Sequence, residues 1–295
     1  MDAIHAGAHQ RHSLTLFAIP NAFEGHTGVI QTNAIQSWAR LDGCEVVLFG
    51  EEAGLAEAAA RLRVRRVPDL ARNDRGTPMV SDAFRWIQGV ATAPAVAYVN
   101  SDIMFTSDIV AAAEFLAQSG LREWLVVGQR RDLDVSELLP FSEGWEARLR
   151  ADVSARAQPH GVSGIDYFLF PRGWSVEFPP LAVGRPGWDN WLIYRARALG
   201  IPVIDASASV LCIHQNHPSR YRSFELEARR NSRAAGGYYN MATLRDADWR
   251  LETLPDGTGF RLVRRPLGKI MFSPPVRGLL AVRRYAAEKL AGRGA

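Results

Sequence analysis

Residues 96–105 read Val-Ala-Tyr-Val-Asn-Ser-Asp-Ile-Met-Phe, an apolar run with no formal charge until Asp102. An uninterrupted run of this kind fits a strand covered on both faces, as in the interior of a parallel sheet. It ends abruptly in Asn100-Ser101-Asp102, which puts a carboxylate at the carboxyl edge of the strand, where open α/β sheets bind their ligands. Asn100 and Asp102, two residues apart, offer two hard oxygen donors for a divalent cation carrying a diphosphate. The competing reading is that Asp102 only caps the following turn, which needs no ligand.

The flanking pattern supports a parallel sheet. Leu14 to Ile19 predicts a buried strand stopped by Pro20-Asn21, and Thr27 to Leu41 predicts a helix from Val29, Ile30, Ala34 and Trp38. Glu45 to Phe49, Arg63 to Val67 and residues 95–100 predict further strands, with helices over Leu55 to Leu62 and Val80 to Val90 between them and Asp108 to Gln118 after them. Trp124 to Gly128, Ile165 to Phe170, Pro202 to Asp205 and Val210 to Ile213 predict strands in the second half, and Asp189 to Leu199 a helix closed by Gly200. Alternation of this kind argues for an α/β fold, a mostly parallel central sheet flanked by helices.

Composition narrows the class. At 295 residues the chain can bury a full α/β core with an appendage. No stretch reaches the ~20 uninterrupted apolar residues of a membrane span, and Met1 to His12 has no apolar core of a signal peptide. Cys44 and Cys212, the only cysteines, give no disulfide framework and fit a reducing cytoplasm. Residues 261–295 hold nine Lys/Arg and one acid, a net of +8, so the other 260 residues carry a net of −4. The basic balance therefore belongs to the tail, and the main body is not a nucleic-acid surface. In the tail, Leu279, Leu280 and Val282 interleave with Arg277, Arg283, Arg284 and Lys289, a pattern expected to touch a peripheral anionic membrane surface at the cytoplasmic face.

The Asn100-Ser101-Asp102 segment and its context resemble the Asp-X-Asp signature of glycosyltransferases with the A-type nucleotide-diphospho-sugar transferase fold. The first position here is Asn, so Asp102 is the one charged ligand carried over. The resemblance runs from Ser13 to His217, a transferase-like domain over 13–217, followed by a C-terminal extension with the basic tail over 218–295. It implies a Mn²⁺ or Mg²⁺ cofactor held by Asp102 and, by its late position, His214 in Cys212-Ile213-His214-Gln215-Asn216-His217, with His217 in a supporting place. It implies donor contacts from Asn21 and Glu51 at the first two strand ends, from Arg75 in the turn Asn73 to Pro78, and from Asn100, Ser101 and Asp102. Asn21 is also a plain loop-former, and Arg75 an ordinary solvated arginine.

Two later stretches concern the acceptor. Gly161 to Phe168 places two glycines and Asp166 before an aromatic strand; Asp166 could bond sugar hydroxyls, though a Gly turn beside core aromatics explains the pattern equally well. Gly184-Arg185-Pro186-Gly187-Trp188-Asp189-Asn190-Trp191 is similar to the Trp/Gly-rich acidic loop that carries the catalytic base in inverting members. That likeness makes Asp189 the base and Trp188 a substrate contact, while a plain helix N-cap at Asp189 needs neither. The expected function is transfer of a sugar from a nucleotide-diphospho-sugar to a hydroxyl acceptor, metal-dependent and inverting. The rivals are a non-catalytic sugar-nucleotide or glycan-binding protein and a sugar-1-phosphate nucleotidyltransferase. The latter usually shows a basic Gly-rich loop after the first strand, unlike Asn21-Ala22-Phe23-Glu24-Gly25.

Overall fold

The computed structural model describes residues 12–184, 187–218, 225–237, 240–266 and 273–291. The expectations for Met1 to Arg11 and for Arg185 and Pro186 lie outside these residues, as do the side chains of Arg284 and Lys289. Among the described residues, no helix is long and apolar enough to cross a membrane.

The first half is a run of βα units: β1 (Leu14–Ala18), α1 (Gly25–Trp38), β2 (Cys44–Phe49), α2 (Leu55–Leu62), β3 (Arg65–Val67), α3 (Val80–Val90) and β4 (Ala95–Val99). All four strands run parallel in the order β3-β2-β1-β4. Every residue of β1 and β4 is buried, and alternation sends their side chains into two different cores. Leu14, Leu16, Ala95, Ala97 and Val99 face one, while Phe17, Val96 and Tyr98 face the other. A strand with helices on both sides has no solvent face, so its sequence is apolar throughout. That is the origin of the run before Asn100.

After Asp102 the chain departs from strict alternation. It passes through β5 (Ile103–Met104), α4 (Asp108–Gln118), β6 (Leu125–Val127), β7 (Arg130–Leu133), α5 (Trp145–Arg156), β8 (Gln158–Pro159) and β9 (Tyr167–Pro171). β9 enters the central sheet antiparallel, between β4 and β6. β7 and β8 sit at the carboxyl edge, and only seven residues separate β8 from β9, too few for the crossover of a dozen or more that a parallel entry requires. α6 (Trp188–Ala198) and β10 (Val203–Asp205) follow, with β10 parallel to β6. β11 (Cys212–Gln215), expected near Val210, does not join the central sheet; it lies in a second sheet of order β5-β11-β7-β8.

Beyond residue 218 come α7 (Glu225–Ala234), the hairpin β12 (Trp249–Thr253) and β13 (Phe260–Arg264), and α8 (Pro274–Ala291). β12 pairs parallel with β10, so this hairpin extends the same nine-stranded sheet. The basic tail needs one correction. Arg277, expected on a membrane-facing stripe, is 3% exposed, pairs with Asp246 and lies 4.7 Å over the Tyr194 ring. A buried carboxylate outcompetes solvent for this guanidinium, so it anchors α8 instead. Leu279 and Val282 do stand exposed.

Candidate active site

The small sheet assembles the site. β11 pairs antiparallel with β5, which puts His214 across from Ile103, the residue after Asp102. β11 also pairs parallel with β7, which puts His214 across from Asp132. Two chain segments distant in sequence thus meet at the carboxyl edge of β4. His217 Nε2 lies 3.0 Å and His214 Nε2 3.7 Å from Asp102 Oδ2. One ligand atom from each of Asp102, His214 and His217 falls within 4.8 Å of the others. His217, expected in a supporting place, comes closer to Asp102 than His214 does.

The electrostatics fit a cation. Burial pushes the Asp102 carboxyl up, but the hydrogen bond with His217 and the His214 and His217 rings outweigh it and hold it below the usual carboxylate range. Burial pulls His214 down despite Asp102, which favours the neutral imidazole that ligates metals. His217 is raised by its bond to Asp102. Among the described residues, Asp102 Oδ1 is buried without a hydrogen-bond partner. A buried unpaired carboxylate oxygen is costly unless something electropositive meets it, and a divalent cation satisfies that oxygen.

A polar scaffold holds the Asp102 loop. Gln215 Nε2 donates to the carbonyl oxygens of Asp102 (3.1 Å) and Ile30 (2.8 Å), and Asn33 Nδ2 donates to Gln215 Oε1 at 3.0 Å. Ser101 Oγ donates to Gln31 Oε1 at 2.9 Å, and the same oxygen accepts from the Asn21 backbone N–H at 2.7 Å. Gln31, Asn33 and Gln215 are all buried. Removing any one would strand a buried partner, at about 1–3 kcal/mol. These three escaped sequence reasoning, although for Gln31 and Asn33 the polar residues beside the apolar stripe of α1 were a readable signal.

Asp166 stands beside this centre. Its Oδ1 accepts from Asn100 Nδ2 at 2.6 Å and its Oδ2 from Arg130 Nη1 at 2.9 Å. Arg130 Nε also donates to Asp132 Oδ1 at 2.9 Å, and His160 Nδ1 lies 2.6 Å from Asp132 Oδ2. Burial opposes the Arg130 charge, but Asp166 and Asp132 raise its affinity for the proton. Asn100, Ser101 and Asp166, expected to reach the donor or sugar, thus have their side chains engaged inside the protein. Arg130 and Asp132 were missed, although charges two to four residues past the glycine that ends a buried strand mark the ligand edge of an α/β sheet.

Asp189 occupies the first turn of α6. Its Oδ1 accepts from the backbone N–H groups of Asn190 (2.8 Å) and Gly187 (3.2 Å), and among the described residues no donor reaches Oδ2. Burial pushes its carboxyl up to about 6, the Asp166 charge adds to this, and the backbone donors oppose it. Asn190 is structural: its Nδ2 donates to the Ala242 carbonyl at 2.7 Å. Trp188 is buried edge-on against Tyr98, ring centres 4.9 Å apart, and tilted against Phe168 at 5.0 Å, a core position rather than an open contact surface. Asn21 and Glu51 do lie at the carboxyl ends of β1 and β2, both exposed, as is Arg75. No hydrogen bond or ion pair among the described residues joins these three side chains to the Asp102 cluster.

No protein-family model matches the chain, and no curated protein matches it. Among solved structures it is similar to a mannosyltransferase, PcManGT, from Pyrobaculum calidifontis in complex with GDP-Man and Mn²⁺, at 14% identity and a TM-score of 0.45 over 76% of this chain and 63% of that one. It is similar to S. aureus TarS 1–349 with UDP-GlcNAc, at 14% identity and a TM-score of 0.48 over 76% and 65%. It is also similar to M. tuberculosis glucosyl-3-phosphoglycerate synthase, at 17% identity and a TM-score of 0.44 over 89% and 93%. The chain thus spans less than two thirds of the length of the first two. The chemistry of the site rests on the residues of this chain.

Proposed function

We propose that this protein is a metal-dependent glycosyltransferase that moves a sugar from a nucleotide-diphospho-sugar to a hydroxyl acceptor with inversion. The observation that carries the reading is the convergence of Asp102, His214 and His217 around a buried, unpartnered carboxylate oxygen at the carboxyl edge of β4. Asp102 and the two imidazoles would hold Mn²⁺ or Mg²⁺, and the imidazole share of the donor set favours Mn²⁺. The bound cation would supply charge neutralisation on the departing nucleoside diphosphate. Asp189 Oδ2, which no donor among the described residues reaches, takes the proton of the acceptor hydroxyl as the hydroxyl oxygen attacks the anomeric carbon and the bond to the diphosphate oxygen breaks. A carboxyl near 6 is ionised at neutral pH yet basic enough to share that proton. In this reading residues 13–217 carry the donor and acceptor sites, and beyond them β12 and β13 extend the sheet.

A thermal-shift panel of nucleoside diphosphates with and without Mn²⁺ tests the reading. Stabilisation by at least one diphosphate that requires Mn²⁺ is expected, followed by sugar transfer from the corresponding donor. No diphosphate effect sinks the donor site; a diphosphate effect without transfer or donor hydrolysis supports the non-catalytic binding protein.

A further inference from the structure

The side chains of Asn100, Asp166, Arg130, Asp132, His214 and Asp102 form a row of contacts that turns back on itself. Asn100 donates to Asp166 (2.6 Å), Arg130 bridges Asp166 and Asp132 (2.9 Å each), Asp132 Oδ1 lies 3.1 Å from His214 Nδ1, and His214 Nε2 lies 3.7 Å from Asp102. The two ends of the row are joined by the backbone of residues 100–102. Only His214 and Asp102 in it point ligand atoms at the cation cluster.

We propose that Asn100 is a positioning residue whose amide locks Asp166, Arg130 and Asp132 in the arrangement that aims His214 Nε2 at Asp102, and that an aspartate at this position would work against the cation site. An ionised carboxylate only accepts hydrogen bonds, so the group facing Asp166 Oδ1 at 2.6 Å has to be the amide NH₂. A carboxylate in its place sets two like charges at hydrogen-bond distance and loosens Arg130. Asp132 then loses one of the partners that hold its carboxylate 3.1 Å behind His214 Nδ1, an ion-pair contact rather than a hydrogen bond, and the charge behind a ligand imidazole helps set how the ring is held. Asparagine at the first position of the motif is therefore an adaptation of this row of contacts rather than a decayed ligand. The inference rests on the cation reading above and goes beyond it.

The test is Mn²⁺ affinity of the full chain without nucleotide, by electron paramagnetic resonance of free Mn²⁺, with a melting curve for each variant. Asn100→Asp, which restores the acidic motif, should weaken Mn²⁺ binding by about 10–100-fold, the usual cost of losing a group that orients a ligand. Asp132→Ala should weaken it by a similar factor. The exchange Asn100→Asp with Asp166→Asn should recover most of the loss. In that pair the amide introduced at position 166 can donate to the carboxylate introduced at position 100, while the amide oxygen accepts from Arg130. Such recovery belongs to the pair and would not follow from a general structural role. Unchanged or tighter Mn²⁺ binding in folded Asn100→Asp overturns the positioning role while leaving the cation site standing. If Asn100→Asp fails to fold, failure of the exchanged pair to restore wild-type affinity overturns it. Absence of Mn²⁺ binding by the wild type overturns the cation site itself and this inference with it.

Discussion

Asp102 and Asp189 are two largely buried carboxylates near the same sheet edge, and their surroundings drive them in opposite directions. Asp102 sits among two imidazoles and stays ionised below the usual range. Asp189 follows Trp188, packed on Tyr98 and Phe168, meets only backbone donors among the described residues, and rises to about 6 under burial and the Asp166 charge. Imidazole neighbours suit a carboxylate to permanent charge and metal ligation, while an apolar floor suits it to exchanging a proton. Divergent environments for paired acids are a recurrent way of separating such roles.

The largest expected effect comes from Asp189→Asn, which keeps the shape and one acceptor oxygen but cannot take a proton. Turnover should fall by ~10²–10⁴ with donor affinity nearly unchanged. Stability should hold or rise by about 1–2 kcal/mol, because a raised folded-state carboxyl means its charge opposes folding above the unfolded value. A variant with near-normal transfer and a lower melting temperature would make Asp189 a helix-terminus residue and erase the contrast.

Asp102→Asn should show the reverse pattern. Loss of the charged ligand should reduce Mn²⁺-dependent nucleoside diphosphate affinity by ~10² or more, since a coordinating group outweighs the 10–100-fold of a supporting one. Calorimetric titration of UDP and GDP with and without Mn²⁺ reads this directly. His214→Ala should weaken the metal dependence without abolishing it, because Asp102 and His217 remain. Metal dependence that survives Asp102→Asn would leave Asp102 a turn former.

The smallest effect is a pH profile. As pH falls through about 6, protonation of Asp189 should cut turnover about tenfold per unit below that point. Asp102 stays ionised in that interval, so its own protonation adds nothing to the decline. Protons on His217, raised by Asp102, compete with Mn²⁺, so metal affinity also weakens on acidification. Saturating Mn²⁺ isolates the first effect. A profile flat to pH 5 under saturation would remove the base from Asp189.

Much of the first half could be read from the chain. α2, α3 and α4 begin and end where the spacing predicts, and β1, β2 and β4 agree within a residue or two. Each carries its own signal: an apolar run where both faces are covered, or a stripe where one is. The second half was less legible for an equally physical reason. β5, β7 and β8 are two to four residues long, too short for a period, and the Arg130 to Leu133 strand carries three charged residues in four.

The sequence by itself determined that a carboxylate would stand at the end of a buried parallel strand, because apolar patterning and a polar stop are local. It also placed acids and histidines at strand and helix ends. Only the tertiary structure decided that β11 would lie between β5 and β7, bringing His214 and His217 onto Asp102 and Asp132 behind His214. It likewise turned Asn100, Ser101 and Asp166 inward and set Trp188 into the core beside Asp189. Pairing between segments this distant in sequence depends on which backbone edges and buried polar groups find partners, and no local pattern encodes that choice.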